Sequence, residues 1–301
     1  MFAYVIEWGW FKIGSYGVMM ALGFLCAWYL FKLELTRKGM ATDLAARITF
    51  NAAIWGVIGA RLLSILEEPS HIADNPIRML LLEGGLTWYG GLAAGTAATF
   101  YTIVKAKASL INVFDAMGPA GLVGYAFGRG GCLISGDGCY GVATDLPWGM
   151  QFPKLVESSG FHFLQQGAIA QWPPIDPSTC TDPSDAATCL RYPAGVHVHP
   201  TPIYEIIASF VAFGLMWALR KKIRRPGVML GLFFILNGVP RFFIEMIRLN
   251  PRYAGLSLSQ WLSIAMLIGG SALVWWGRTQ PLPAEGRIEE PPAKGRRRGR
   301  K

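Results

Sequence analysis

The chain has 301 residues, of which 52% are hydrophobic and only 16% are charged. Its positive mean hydropathy, together with so few charges, excludes an ordinary soluble domain. The net charge of +9 could indicate a nucleic-acid partner, but most Lys and Arg residues stand beside apolar runs, which argues for a membrane and against nucleic acid.

Seven apolar runs follow one another, each close to the roughly 20 residues that a helix needs to cross a bilayer. In chain order they cover 16–33, 45–66, 86–104, 110–127, 202–219, 227–247 and 258–276. The basic clusters fall at alternate gaps between these runs, as expected when Lys and Arg stay on the cytoplasmic side. The sequence therefore predicts an all-α integral membrane protein with seven transmembrane helices, its N-terminus outside and its C-terminus in the cytoplasm.

Two segments differ from the apolar runs in composition. Residues 136–200 are polar and rich in Pro, Asp, Ser and Thr, which predicts a periplasmic insert between helices 4 and 5. Residues 279–301 are basic, which predicts a disordered cytoplasmic tail attracted to anionic lipid. Residues 1–278 would then form one membrane domain that includes the insert.

The stretch from residue 128 to 141 contains six glycines and one arginine, Arg129, directly after the fourth apolar run. Glycine lets the backbone turn with positive φ and come close to a bound group. Arginine can grip a phosphate through two parallel hydrogen bonds. We therefore predict a phosphate-binding turn at the membrane edge. The alternative is a glycine-rich loop with an interfacial arginine.

The predicted topology gathers polar side chains from six of the seven helices in the outer half of the membrane. Ionisable residues inside a bilayer are costly and usually face a cavity or a partner. Four arginines at one depth would repel each other unless carboxylates or an anion neutralised them, and a phospholipid head group is such an anion. These residues are Tyr16, Arg61, Tyr89, Arg129, Asp137, His199, Tyr204, Glu205, Arg241, Glu245 and Arg248.

Arg241, Glu245 and Arg248 are spaced at i, i+4 and i+7, so a helix would place them on one face. Glu245 would lie between the two arginines and could pair with either. A salt bridge that locks helix packing needs only one arginine, so the second favours a functional role. The alternative is that these charges form only a structural salt bridge that locks helix packing.

Tyr89 and His199 are the candidates for proton transfer. Tyr89 lies between paired glycines at the start of the third run, but an unperturbed phenol titrates near ~10 and is a poor base. It could equally be an interfacial aromatic residue. His199 could act as a base or serve as a hydrogen-bonded structural histidine. His197 and His199 form no metal-binding set, so neither a metal nor a cofactor is predicted.

Cys180 and Cys189 lie in the insert, and a disulfide between them is plausible if that face is periplasmic. Cys132 and Cys139 flank the glycine-rich stretch and could form a second bridge or remain thiols. Cys132 is also a weak catalytic candidate, because nearby arginines can lower a thiol pKa.

Short motifs occur in a fixed order from Tyr16 to Arg248. They are Tyr16-Gly17, Gly59-Ala60-Arg61-Leu62, Gly84-Gly85 to Gly90-Gly91-Leu92, Asp115 with Pro119, Gly128-Arg129 with Gly131, Pro147-Trp148-Gly149-Met150 to Phe152-Pro153, His199-Pro200, Tyr204-Glu205, and Gly238 with Arg241-Phe242, Glu245 and Arg248. In this order the motifs resemble the prolipoprotein diacylglyceryl transferase family, integral membrane enzymes that begin bacterial lipoprotein maturation.

The resemblance implies a reaction and a set of site residues. A diacylglyceryl group would pass from phosphatidylglycerol to the lipobox cysteine of a pre-lipoprotein signal peptide, releasing glycerol phosphate, in the bacterial inner membrane at its outer leaflet. The implied catalytic residues are Arg129, Arg241, Tyr89, Glu245 and His199. The implied lipid-binding residues are Tyr16, Arg61, Arg129, Ser135, Asp137, Glu205, Arg241 and Arg248.

The chain departs from the family pattern at positions expected to take part in proton transfer. The family usually has histidine at Tyr89, often has asparagine at Cys132 and Ser135, and often has tyrosine at Asn237. Either the Tyr89 phenol is the base, or Asp137 or His199 serves, or the chain is a divergent relative. The alternatives are therefore a related transferase with a different acceptor and a non-catalytic phospholipid-binding protein on the same scaffold.

Overall fold

The computed structural model describes residues 4–8, 11–67, 87–136, 139–151, 197–248, 250 and 252–281. Within these ranges the chain forms seven α-helices: α1 (Ser15–Arg37), α2 (Asp43–Glu67), α3 (Trp88–Lys105), α4 (Leu110–Ser135), α5 (Thr201–Leu219), α6 (Val228–Ile244) and α7 (Leu258–Thr279). A 3₁₀ turn, Glu245–Ile247, continues α6. Two antiparallel hairpins precede α1 and α7: β1 (Tyr4–Trp8) with β2 (Phe11–Gly14), and β3 (Arg252–Tyr253) with β4 (Leu256–Ser257).

Six of these seven helices are long and apolar enough to cross a membrane, and α3 is the exception. Large apolar side chains point outward, including Phe50 and Ile268 at 67% exposure and Trp275 at 72%. Such a surface suits lipid tails, whereas soluble proteins rarely expose so much contiguous apolar area. The predicted all-α membrane class is confirmed.

Residues 128–135 of the glycine-rich stretch are helical, which corrects the turn predicted there. Helix α4 runs through it and ends at Ser135, where Gly136 takes a left-handed conformation with φ of 70°. The reason is packing: a Cβ at Gly130 would lie 2.7 Å from Met19 Cε, and one at Gly131 would lie 2.8 Å from a ring carbon of Tyr16. Here the missing side chains let α1 approach α4, which offsets the low helix propensity of glycine.

Helices α2 and α3 touch backbone to backbone through Gly59 and Gly90. A Cβ at Gly59 would lie 2.5 Å from the Gly90 carbonyl oxygen, and one at Gly90 would lie 2.3 Å from that of Gly59. Membrane helices commonly associate through small residues, which let the backbones approach closely. Lipid tails are as apolar as the side chains, so the hydrophobic effect does not drive the helices together. This contact sets α3 close beside α2.

Replacing Gly59 with valine is expected to lower the stability of the protein by about 1–3 kcal/mol or more, because the new side chain overlaps α3. Its Cβ alone would lie 2.3 Å from the Ala94 Cβ. Gly214→Val is the matched control, since nothing lies within 4 Å of a Cβ at that position of α5. Thermal unfolding in detergent measures both, and equal midpoints would contradict this account of the α2–α3 contact.

A buried carboxylate joins three elements at the opposite end of α4 from Arg129. Asp115 accepts hydrogen bonds from the backbone N–H groups of Gly227 at 2.9 Å and Leu230 at 2.8 Å. These N–H groups have no partner inside α6, so Asp115 acts as its cap from a neighbouring helix. Lys38 Nζ lies 3.6 Å from Asp115 Oδ2. Burial lowers the pKa of Lys38, and the negative charge of Asp115 opposes this shift. The cap fixes the axial position of α6.

Candidate active site

Glu205, on the second turn of α5, is the centre of a cluster of buried charges. Its side chain is 2% exposed and forms ion pairs with Arg129 of α4 and Arg241 of α6. Arg248 Nη1 lies 3.7 Å from Glu205 Oε1, and the Tyr125 hydroxyl donates to Oε2 at 3.0 Å. One carboxylate therefore joins three arginines from two segments that are far apart in the sequence.

Glu245 is the second carboxylate of the cluster and is fully buried. Its Oε2 lies 3.0 Å from Arg241 Nη2 and 3.6 Å from Arg248 Nε, and its Oε1 accepts a hydrogen bond from Asn250. The prediction that Glu245 lies between the two arginines is confirmed, although α6 gives way to a 3₁₀ turn at this residue.

The cluster carries more positive than negative charge. Among the described residues, three guanidinium groups face two carboxylates, which leaves one positive charge in excess. The Arg248 side chain is 7% exposed, yet its Nε and Nη1 donate no hydrogen bond within the described ranges. Buried charges that lack full hydrogen bonding are costly, so this arrangement favours an additional anion. A phosphodiester, with a single negative charge, would balance it.

Arg129 is held by groups from its own helix and from the segment that follows it. Its Nε donates to the Tyr125 hydroxyl at 3.1 Å, and its guanidinium lies 5.1 Å from the centre of the Tyr125 ring. Its Nη1 lies 4.0 Å from the sulfur of Cys132 and 3.7 Å from that of Cys139, both of which are buried thiols. Of the two alternatives for Cys132 and Cys139, the structure has the thiols, and both contact one guanidinium.

A short strand-like segment closes the cluster on one side. Gly141 N donates to the His199 carbonyl at 2.9 Å, and Val142 N donates to the Ile247 carbonyl at 2.8 Å. A Cβ at Gly141 would lie 2.6 Å from the Ile247 carbonyl oxygen, so only glycine allows this approach. These bonds hold Arg248 next to the segment that follows α4.

His199 is bonded to Tyr204. The Trp148 indole N–H donates to the Tyr204 hydroxyl oxygen at 2.9 Å, and that hydroxyl lies 3.1 Å from His199 Nδ1. Because Tyr204 accepts from Trp148, its own proton is available for Nδ1. The Tyr204 hydroxyl therefore holds the His199 ring through Nδ1, and this contact supports the structural alternative for His199.

Three other predicted residues lie on the helices around the cluster. Tyr89 stands in the first turn of α3, packs edge-to-face on Trp88 with ring centres 5.0 Å apart, and interacts electrostatically with Arg241 and Glu245. Tyr16 packs its ring against Gly131 of α4. Arg61 lies on α2 next to Ala60, whose carbonyl accepts from Thr87 N at the start of α3.

The remaining predicted residues are Ser135 and three that lie outside the described ranges. The Ser135 hydroxyl donates to the Cys132 carbonyl at 3.3 Å. Asp137, Cys180 and Cys189 lie outside the described residues, so the predicted disulfide and the role of Asp137 stay predictions.

Sequence reasoning missed Tyr125, Asn250 and Ser259. Tyr125 precedes Arg129 by four residues and so shares its helical face, a signal that was available in the sequence. The Ser259 hydroxyl accepts from Arg241 Nη2 at 2.8 Å, and Asn250 donates to Glu245. Asn250 follows the end of the helix, so helical spacing does not predict its contact with Glu245, and the Ser259 contact depends on how α6 meets the start of α7.

The profile of a family described as prolipoprotein diacylglyceryl transferase matches residues 3–276. The chain is similar to phosphatidylglycerol–prolipoprotein diacylglyceryl transferases of Clostridium tetani, at 30% identity over 86% of this chain and 91% of the relative, and of Halalkalibacterium halodurans, at 27% over 98% and 93%. It is also similar to phosphatidylglycerol–prolipoprotein diacylglyceryl transferase 2 of Clostridium perfringens, at 30% identity over 87% of this chain and 90% of the relative.

Proposed function

The chain belongs to the prolipoprotein diacylglyceryl transferase family, and from that premise we propose that it moves a diacylglyceryl group from phosphatidylglycerol to the lipobox cysteine thiol of a pre-lipoprotein. The observation that supports this most directly is the excess positive charge around Glu205. A buried cluster with one unbalanced positive charge suits the monoanionic phosphate of this lipid.

The chemistry fits the cluster. The thiol sulfur bonds to the glycerol carbon that carries the phosphate, the carbon–oxygen bond breaks, and its electron pair leaves on glycerol phosphate. The thiol proton passes to a base. Negative charge grows on the leaving phosphate, so donors already in place there lower the barrier. Arg129, Arg241 and Arg248 would supply those donors, and Glu205 and Glu245 would hold them in position.

Two residues are candidates for the proton acceptor, His199 and Tyr89. His199 Nδ1 is occupied by the Tyr204 hydroxyl, whereas Tyr89 interacts electrostatically with Arg241. Tyr89 also interacts with Glu245, so it lies among the charges that would surround the phosphate. We therefore assign the base to Tyr89 in preference to His199.

Tyr89→Phe is expected to reduce the transfer rate by about 10²–10⁴-fold, the usual contribution of a positioned base. Tyr101→Phe is the matched control, because Tyr101 lies on the same helix and is 64% exposed. Initial rates with a lipobox peptide in phosphatidylglycerol vesicles measure both variants. A Tyr89→Phe enzyme as fast as the control would show that the Tyr89 hydroxyl takes no part in proton transfer.

We further propose seven membrane crossings in the bacterial inner membrane, with the N-terminus outside, residues 279–301 in the cytoplasm and the site toward the periplasm. The six long apolar helices and the alternation of basic clusters support this orientation. A fluorescent protein fused to the C-terminus should fold and fluoresce, as it does only in the cytoplasm. A dark fusion that is made in normal amounts would reverse the orientation.

Complementation tests the function as a whole. The chain is expressed in cells depleted of their own transferase, and lipidated lipoprotein is detected by its shift on gels. Restored lipidation is the expected result. Good expression without lipidation would favour a different acceptor or a non-catalytic lipid-binding protein.

A further inference from the structure

The Tyr125 hydroxyl lies between Arg129 and Glu205 and contacts both. It accepts a hydrogen bond from Arg129 Nε at 3.1 Å and donates its own proton to Glu205 Oε2 at 3.0 Å. Arg129 Nε also forms an ion pair with that carboxylate oxygen, so each of the three groups contacts the other two. A hydroxyl can donate and accept at the same time, and this lets Tyr125 join a guanidinium to a carboxylate.

The position of Tyr125 gives the two oxygens of Glu205 different partners. Tyr125 precedes Arg129 by four residues on α4, so both side chains lie on one helical face. They bind Oε2 of Glu205, which reaches across from α5. The other oxygen, Oε1, forms ion pairs with Arg241 and Arg248. The Tyr125 hydroxyl therefore helps to direct one oxygen of the shared carboxylate toward α4.

The same contacts fix the Nε side of Arg129 and decide which of its groups can bind a substrate. Nε is bonded within the protein, whereas Nη1 lies 4.0 Å from Cys132 Sγ and 3.7 Å from Cys139 Sγ. A thiol sulfur is a weak hydrogen-bond acceptor. A phosphate oxygen is charged and binds a guanidinium much more strongly. A phosphate could therefore replace the thiols as the partner of Nη1 while Nε keeps its bonds.

We propose that Tyr125 is a positioning residue for the transfer reaction, whose hydroxyl holds Arg129 in the orientation that presents its Nη groups to the phosphate of phosphatidylglycerol. The inference rests on the proposed function, because Tyr125 acts through an arginine assigned there to the leaving phosphate. A misplacement of about 1 Å in a group that acts on the transition state can cost about 10²-fold in rate. The hydroxyl should therefore affect kcat more than KM.

Tyr125→Phe is expected to lower kcat by about 10–10²-fold and to change the KM for phosphatidylglycerol by less than about twofold. The variant keeps the ring, whose centre lies 5.1 Å from the Arg129 guanidinium, and removes only the hydroxyl. Tyr29→Phe is the matched control, because Tyr29 lies on α1 and is 55% exposed. Initial rates with a lipobox peptide in phosphatidylglycerol vesicles measure both variants. A Tyr125→Phe enzyme with the kcat of the control would overturn the assignment.

A double-mutant cycle tests whether Tyr125 acts through Arg129. In the Arg129→Ala background the hydroxyl has no guanidinium to orient, so adding Tyr125→Phe should lower kcat by less than about twofold more. If the losses of the two single variants multiply instead, the hydroxyl acts independently of Arg129, which contradicts the proposal. Thermal unfolding in detergent confirms that each variant is folded, and Tyr125→Met, which also lacks the hydroxyl, replaces a phenylalanine variant that is not.

Phosphorothioate phosphatidylglycerol tests the orientation of the guanidinium directly. Sulfur in place of one non-bridging phosphate oxygen creates two diastereomers, and an oriented guanidinium distinguishes them because sulfur is the weaker acceptor. The wild type is expected to use one diastereomer at least about tenfold faster, and Tyr125→Phe should reduce this preference to less than about threefold. A purely structural role for Tyr125 would leave the preference unchanged. That outcome, or a wild type without a preference, would overturn the proposal.

Failure of the proposed function would look different, because the wild type would then transfer from no phosphatidylglycerol. In that event, binding of the two diastereomers decides the assignment. The purified protein is mixed with equal amounts of both, one carrying deuterated acyl chains, and native mass spectrometry measures the ratio retained. Discrimination by the wild type that is lost in Tyr125→Phe supports the positioning role, and equal ratios in the two proteins overturn it.

Discussion

Replacing Arg241 with alanine is expected to lower diacylglyceryl transfer by about 10²–10³-fold or more, the typical cost of removing one donor that stabilises charge in a transition state. Arg241 joins the two carboxylates of the cluster, through its ion pair with Glu205 and its Nη2 group 3.0 Å from Glu245. Without it, the excess positive charge that suits a phosphodiester disappears. The loss should appear mainly in kcat, because the leaving phosphate gains charge as the bond breaks.

Single-turnover transfer to a fluorescent lipobox peptide, in nanodiscs that contain phosphatidylglycerol, measures this loss. Arg241→Lys keeps the charge but cannot form bidentate hydrogen bonds, so its transfer rate should lie between those of the alanine variant and the wild type. Arg252→Ala is the matched control, because Arg252 is exposed on β3. Wild-type turnover in a folded Arg241→Ala protein would mean that the phosphate is held elsewhere.

Glu205→Ala is expected to have the largest effect on stability, about 3–5 kcal/mol, because it leaves buried charges without their partner. Arg129, Arg241 and Arg248 would then face Glu245 as the one remaining carboxylate of the described cluster. The Tyr125 hydroxyl would also lose its acceptor. The helices α4, α5 and α6 meet at this carboxylate, so its removal should loosen their contact and not only the chemistry.

Denaturant unfolding in a defined detergent measures this cost. Asp43→Ala is the matched control: Asp43 also pairs with an arginine, Arg47, but its side chain is 64% exposed, so little change is expected. Adding Arg129→Ala to Glu205→Ala should recover part of the lost stability, since it removes one of the unpaired charges. A Glu205→Ala protein as stable as the Asp43 variant would show that the cluster is not a structural centre.

The seven helices could be read from the sequence, because a bilayer demands apolar runs of a narrow range of lengths. Each predicted run matches one observed helix, and the boundaries differ by several residues at most except at α4. There the glycines after residue 127 indicated a turn, whereas α4 continues to Ser135. Local propensity disfavours a helix in this stretch, but contact with Met19 and Tyr16 of α1 requires small residues, and no pattern within the stretch reveals that contact.

The sequence by itself also determined that arginines and carboxylates would lie at a similar depth, because their distance from each helix end is a matter of counting residues. Only the tertiary structure decided their partners. Glu205 faces Arg129 and Arg241, and His199 is bonded to Tyr204, because the rotation and axial offset of each helix decide which side chains meet. Those quantities are set by packing between helices distant in the sequence, such as the contact of Gly59 with Gly90, and local periodicity carries no information about them.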